Sequence, residues 1–152
     1  MEMYEINKAV CFKTIWLNTS DAIADSERKR FVFNDLSLIQ IRNKSYLKVN
    51  SITLSGAGLS SATNHNWEIK LANVKINQPS YFNSDNNFIP TIAMLNYNEN
   101  NTIQNGHLTL ELENQDIVQL ALHIESDDNH GLIKNSQNIN MHIGICIEQY
   151  IE

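Results

Sequence analysis

From Val10 to Ile151 the apolar residues alternate in short runs, and polar segments rich in Asn, Ser and Gly break the runs at fairly regular intervals. A period of two puts successive side chains on opposite faces of a strand, so a chain patterned this way folds into sheets with one face buried. No stretch carries the 3.6-residue period of a long amphipathic helix. The pattern therefore specifies an antiparallel β-sandwich or small barrel. About eight strands and several connections of ten residues or more favour a sandwich with Greek-key crossings over a meander with tight turns.

The runs are individually readable. Val10–Leu17 is a first strand, with Val10 and Phe12 on one face. Ser20 is a candidate cap for a short helix through Asp21–Asp25. Phe31–Ile41 is a long apolar stretch dented at Asn34 and Asp35. In Tyr46–Leu54, Leu47 and Val49 share one phase, while Ile52 and Leu54 share the other. That switch requires a bulge near Asn50 and Ser51, or a strand covered on both faces. Trp67, Ile69 and Leu71 alternate, then Val74 and Ile76 change phase, which reads as one bent strand with Trp67 in the core. Ile89–Leu95 follows, and Asn105-Gly106 gives a turn signal. Leu108–Leu112 and Val118–Ile124 read as a hairpin across Asn114-Gln115, and Ile139–Ile147 as the closing strand. The expected core includes Leu108, Leu110, Leu112, Val118, Leu120, Leu122, Ile143 and Ile145.

Length sets one domain over residues 1–152, with residues 1–30 as an N-terminal strand plus extension. A net charge of −6 disfavours a sequence-independent nucleic-acid partner, which needs a basic face. No apolar run approaches the roughly 20 residues of a membrane span. Met1–Glu5 is acidic and lacks the apolar stretch of a secretory signal. Cys11 and Cys146 are too few for a disulfide framework and read as buried thiols. The three Asn-x-Ser/Thr triplets at Asn18, Asn43 and Asn100 are what chance supplies in a chain with 22 Asn.

Chemistry-bearing patterns are scarce. A metal site on strands needs closely spaced ligands, yet no two of His65, His107, His123, His130 and His142 lie one residue apart. Asp127-Asp128-Asn129 lacks the alternating spacing and distal Glu of a calcium loop. Glu111 and Glu113 share one strand face and read as a polar exterior rather than a catalytic pair. There is no Gly-x-Ser-x-Gly elbow. The expectation is no catalysis and no cofactor. Two features remain as contact candidates: Tyr81 and Phe82 in an Asn/Ser-rich loop after Pro79, and Arg28 and Arg30 in the one basic cluster.

The run from Phe31 to Gly56, with Tyr46-Leu47-Lys48-Val49-Asn50-Ser51-Ile52 as its long strand, resembles the opening strands of single jelly-roll capsid proteins. These are the penton and minor capsid proteins of large double-stranded DNA viruses and virophages. The later order is also similar: Asn-rich loops, Ile89-Pro90-Thr91-Ile92, the Leu108–Ile124 segment and an Ile-rich closing strand. The Asn and Ile bias suits AT-rich genomes of that kind. The resemblance implies a single eight-stranded jelly roll made in the host cytoplasm and resident in a virion. It implies a structural role, with loops and strand edges contacting neighbouring subunits. The assembly expected from the unblunted strand edges and modest charge is a homo-oligomer, a pentamer at a shell vertex, in which Arg28, Arg30, Tyr81 and Phe82 meet further copies and other capsid proteins. It brings no catalytic residue. A lectin-like or receptor-binding β-sandwich module is the alternative from a different functional class.

Overall fold

The alternation is realised as fourteen strands in a computed structural model that describes residues 8–61, 65–77, 90–97, 103–107 and 109–151. In chain order these begin with β1 (Lys8–Asn18), β2 (Ile23–Ala24), β3 (Arg30–Phe33), β4 (Ile39–Ile41) and β5 (Ser45–Ser55). There follow β6 (His65–Leu71), β7 (Thr91–Tyr97), β8 (Ile103–His107), β9 (Leu110–Leu112) and β10 (Gln115–Ile117). The chain closes with β11 (Leu120–Ser126), β12 (Ile133–Lys134), β13 (Gln137–Asn138) and β14 (Asn140–Ile151). Among the described residues no helix is long and apolar enough to cross a membrane.

Two sheets form the sandwich. The first has the order β1-β14-β5-β9, the second β2-β3-β11-β6-β7-β8. Four antiparallel pairs define the topology: β1 with β14, β3 with β11, β5 with β9, and β6 with β7. First pairs with last and second with second-last, down to the central pair. This is the order of one long hairpin rolled on itself, a jelly roll. Six further strands (β2, β4, β8, β10, β12 and β13) raise the total above the eight expected.

The core lies between the sheets and draws on both. Trp67, Phe31, Leu47, Ile69, Leu122, Ile124, Ile143, Ile145 and Ile147 are sealed from solvent. Each such side chain contributes about 1.5–3 kcal/mol relative to leaving it in water. The phase switch in β5 is a bulge: Ser51 faces Gly144 and Val49 faces Ile145, so Asn50 has no opposite residue. Leu47 and Val49 before it and Ile52 after it are thereby all buried.

Several expectations are corrected. The Leu108–Ile124 segment is not a hairpin. β9 pairs with β5 in the first sheet, β11 with β3 and β6 in the second, and β10 crosses between them beside β4. Gln115 shows why Asn114-Gln115 does not turn the chain back. Its amide accepts from the Lys75 N–H and donates to the Lys75 carbonyl, so it holds a different segment. Val118 shares the numerical phase of Leu120 and Leu122, but it stands at a bend that breaks the strand before β11 and is 57% exposed. Leu110 is partly buried against the core; Leu112, Leu120, Leu122, Ile143 and Ile145 are buried; Leu108 lies outside the described residues. Past Leu71 the chain leaves the second sheet, and Ile76 bridges to Leu112 in the first, so Trp67–Ile76 is not one bent strand. Asn105-Gly106 lies within β8, opposite Leu95 and Met94. In place of a helix capped by Ser20 there is a three-residue 3-10 turn, Thr19–Asp21, capped by Asn18. Ile23 and Ala24 then pair with β3, because β-branched Ile23 favours the ladder.

Connections gather at opposite ends of the sandwich. At one end β4 and β10 pair with each other. At the other, Gly58 closes on the Gln137 carbonyl, and the β12–β13 hairpin turns through Asn135 and Ser136, both at positive φ. Two consecutive left-handed residues match the twist of a type I′ hairpin.

Candidate functional site

β1 is the feature of the fold that most invites a partner. It is 11 residues long and, among the described residues, pairs only with β14 and ends the first sheet. An edge strand of that length presents backbone donors and acceptors outward and is a template for another strand. The inward phase of β1 is filled by Ile15 and Leu17. Thr19, just beyond, is buried, and its hydroxyl accepts from the Met141 N–H at 2.9 Å, which pins the end of the strand to β14.

The outward phase carries Val10, Phe12 and Trp16, which are 40%, 43% and 73% exposed. Phe12 sits at a bulge: Cys11 faces Glu148 and Lys13 faces Ile147, leaving Phe12 without an opposite residue. Bulges re-aim the side chain they carry. Phe12 lines a groove of about 460 Å³ with Lys13, Leu38, Gln40, Arg42 and Gln149. Leu38 is also exposed. The groove therefore combines two large apolar groups with Lys13 and with Arg42, whose guanidinium is paired to Asp116.

The outer face of the second sheet is of another kind. Glu125 lies 3.1 Å from the His123 ring and 3.5 Å from Lys29, and Lys29 also reaches Glu27 at 3.4 Å. The His123 hydrogen bond, then the Lys29 charge, hold the Glu125 carboxyl below its usual range against some desolvation. Lys70 pairs with Glu68 at 3.2 Å, and the Thr91 hydroxyl donates to Glu68. A shallow cleft of about 320 Å³ over these strands is lined by Asn66, Glu68, Lys70, Met94, His123 and Glu125, among others.

The sequence-derived candidates fall differently. Arg28 is half-buried and works inside the molecule. Its guanidinium donates to the carbonyls of Leu132 (2.9 Å) and Ile139 (3.0 Å) and to Asn140 Oδ1 (3.2 Å), and lies 5.4 Å above the Phe31 ring. Arg28 has φ 54°, and a Cβ on Gly131 would sit 2.1 Å from the Arg28 carbonyl oxygen, so only glycine fits there. Arg30 is exposed on β3, where its backbone N–H donates to Asp25. Burial raises the Asp25 carboxyl, but the Arg30 and Lys29 N–H groups outweigh it and leave that pKa below 3.8. Tyr81 and Phe82 lie outside the described residues.

Among the described residues no group of three or more His, Cys, Asp or Glu is placed to hold a metal ion. The Asp127-Asp128-Asn129 turn spends its carboxylates internally. Asp127 accepts from Asn66, and Asp128 accepts from the Ser126 hydroxyl and faces His130 Nε2 at 2.9 Å. Cys146 is buried. Trp67 is buried, and its Nε1–H donates to the Gly131 carbonyl.

Sequence reasoning missed Trp16 and Leu38. A signal for Trp16 was present: once Ile15 and Leu17 are assigned inward, a period of two forces Trp16 outward. Leu38 sits beside the dent at Asn34 and Asp35, where no period marks a face. The chain matches no protein-family model and no curated protein.

Proposed function

We propose that the protein is a structural subunit of a viral shell, a penton or minor capsid component, that meets its neighbours along the β1 edge. The reading rests on one observation above the rest: an 11-residue edge strand beside a groove that keeps Phe12 and Leu38 in solvent. Burying such groups at a contact is favourable at roughly 25 cal/mol per Å² of apolar area, and an added strand brings ladder hydrogen bonds as well. A jelly roll with its ends closed by short paired segments is also a rigid block, as a shell unit needs to be.

In this reading the partners are further copies of the chain, arranged as a cyclic pentamer, together with other capsid proteins. Cyclic symmetry repeats one heterologous contact around the ring, so each copy offers the β1 groove and a different complementary patch. Arg30, Tyr81 and Phe82 belong to the proposed contact surface. Arg28, whose guanidinium bonds inside the molecule, stands apart from that surface. The protein performs no catalysis in this role. Replacing Phe12 and Leu38 together with Asp tests the reading: assembly seen by light scattering is lost while the circular dichroism spectrum of the fold is kept. Unchanged assembly contradicts it.

A further inference from the structure

Trp16 lies near the C-terminal end of β1, four residues beyond Phe12, in a cleft that shares no lining residue with the Phe12 groove. Its six-membered ring rests against Gly144 of β14. A Cβ at residue 144 would sit 2.6 Å from Cζ3 and 3.1 Å from Cε3. Glycine at 144 thus makes room for the indole on the backbone of the sheet. The ring is held in place although the residue is 73% exposed.

Beside it opens a cleft of about 400 Å³ lined by Trp16, Asn18, Asp21, Asn34, Asp35 and Leu36, among others. Among the described residues its polar lining groups are two amides and two carboxylates, with no Lys or Arg. Both amides are oriented by bonds of their own: Asn18 Oδ1 accepts from the Ser20 N–H at 3.0 Å, and Asn34 Oδ1 accepts from the Gln119 side chain. With each carbonyl oxygen fixed, the NH₂ end is the part of the amide able to donate to a ligand.

A supported aromatic face beside mixed donors and acceptors suits a ring with an apolar C–H face and a hydroxyl rim. Indole takes the C–H face, carboxylates accept from hydroxyls, and amides donate to them. Two carboxylates with no lining cation disfavour an anionic ligand. The four-sided polar rim disfavours a purely apolar one. We propose that this cleft binds a neutral pyranose unit of a glycan. The inference does not depend on the assembly reading, because its cleft shares no lining residue with the Phe12 groove.

Trp67 is the only other tryptophan and is sealed in the core, so acrylamide quenching of fluorescence reports on Trp16. The probes are the methyl glycosides of glucose, galactose, mannose and N-acetylglucosamine, each up to roughly 50 mM to catch millimolar affinity. N-acetylneuraminic acid and trilysine serve as charged comparisons. At least one neutral glycoside should lower the quenching constant saturably, by about twofold. Asp21→Ala combined with Asp35→Ala, both exposed positions, should weaken that protection about tenfold. The proposal is overturned if no glycoside protects, if either charged probe protects as well as the best glycoside, or if the double variant protects as wild type does.

Discussion

The charged cleft on the second sheet and the β1 edge of the first sheet present different groups to water, although the first sheet also carries an ion pair, Lys48 with Glu148, and the second also exposes Met94 and Ile23. On the second sheet, Lys29 pairs with Glu125 and Glu27, the His123 ring hydrogen-bonds Glu125, and Glu68 is paired with Lys70. On the edge of the first sheet, Phe12 and Trp16 stand in solvent along a strand that, among the described residues, is bonded on one side only. Exposed ion pairs contribute little to stability, typically up to about 1 kcal/mol, yet they leave a surface with nothing further to gain from a partner. Exposed aromatics on an edge strand leave much to gain. The contrast is between a face whose charges are paired and an edge whose aromatic side chains stand in solvent, and the proposed contact is placed at that edge.

Three changes break or sharpen that contrast. The largest effect is expected in the core shared by both sheets. Leu122→Ala empties a fully buried position on β11 and should cost about 2–5 kcal/mol in chemical denaturation. Both faces should then be lost together, in one transition. A cost well under 1 kcal/mol would show that the two sheets do not share one core.

The next effect is at Arg28, which ties the loop before β3 to the start of β14. Arg28→Ala removes its bonds to two carbonyls and to Asn140, and should cost about 1.5–3 kcal/mol. The same variant should leave any assembly at the β1 edge unchanged once stability is corrected for. Loss of assembly without loss of stability would instead make Arg28 a contact residue.

The smallest effect is electrostatic and belongs to the second sheet. The Asp25 and Glu125 carboxyls are both held below their ordinary values, so each stabilises the fold when ionised. That contribution is present above the unfolded-state values of 3.8 and 4.5 and is lost as pH falls through the lower folded-state values. Asp25→Asn and Glu125→Gln should each flatten the fall in stability between neutral and acid pH. Screening at these exposed sites keeps each effect below about 1 kcal/mol. A steeper acid dependence in either variant would reverse the sign.

How much of this was legible in the sequence follows from what each signal measures. The phase switch at Asn50 foretold the β5 bulge, because a buried face fixes the phase of every neighbour. The Leu108–Ile124 segment misled because alternation reports which face is buried and is silent about which strand lies alongside. Two runs of the same phase can enter different sheets when the residues between them bond elsewhere, as Gln115 does with Lys75. Arg28 was visible as charge, but its three internal acceptors come from residues more than 100 positions away. Phe12 was placed on a face with Val10. The bulge that sets it over the groove depends on the register against β14, which no local pattern encodes.

The central claim is that contact resides at the β1 edge and not on the charged sheet. Light scattering over a concentration series tests it on three proteins: wild type, Phe12→Asp with Leu38→Asp, and Glu68→Gln with Glu125→Gln. Wild type and the charge-face variant should both rise to a closed oligomer, while the edge variant should stay at the 17.4 kDa monomer. A wild type that remains monomeric throughout, or two variants altered alike, would contradict the account.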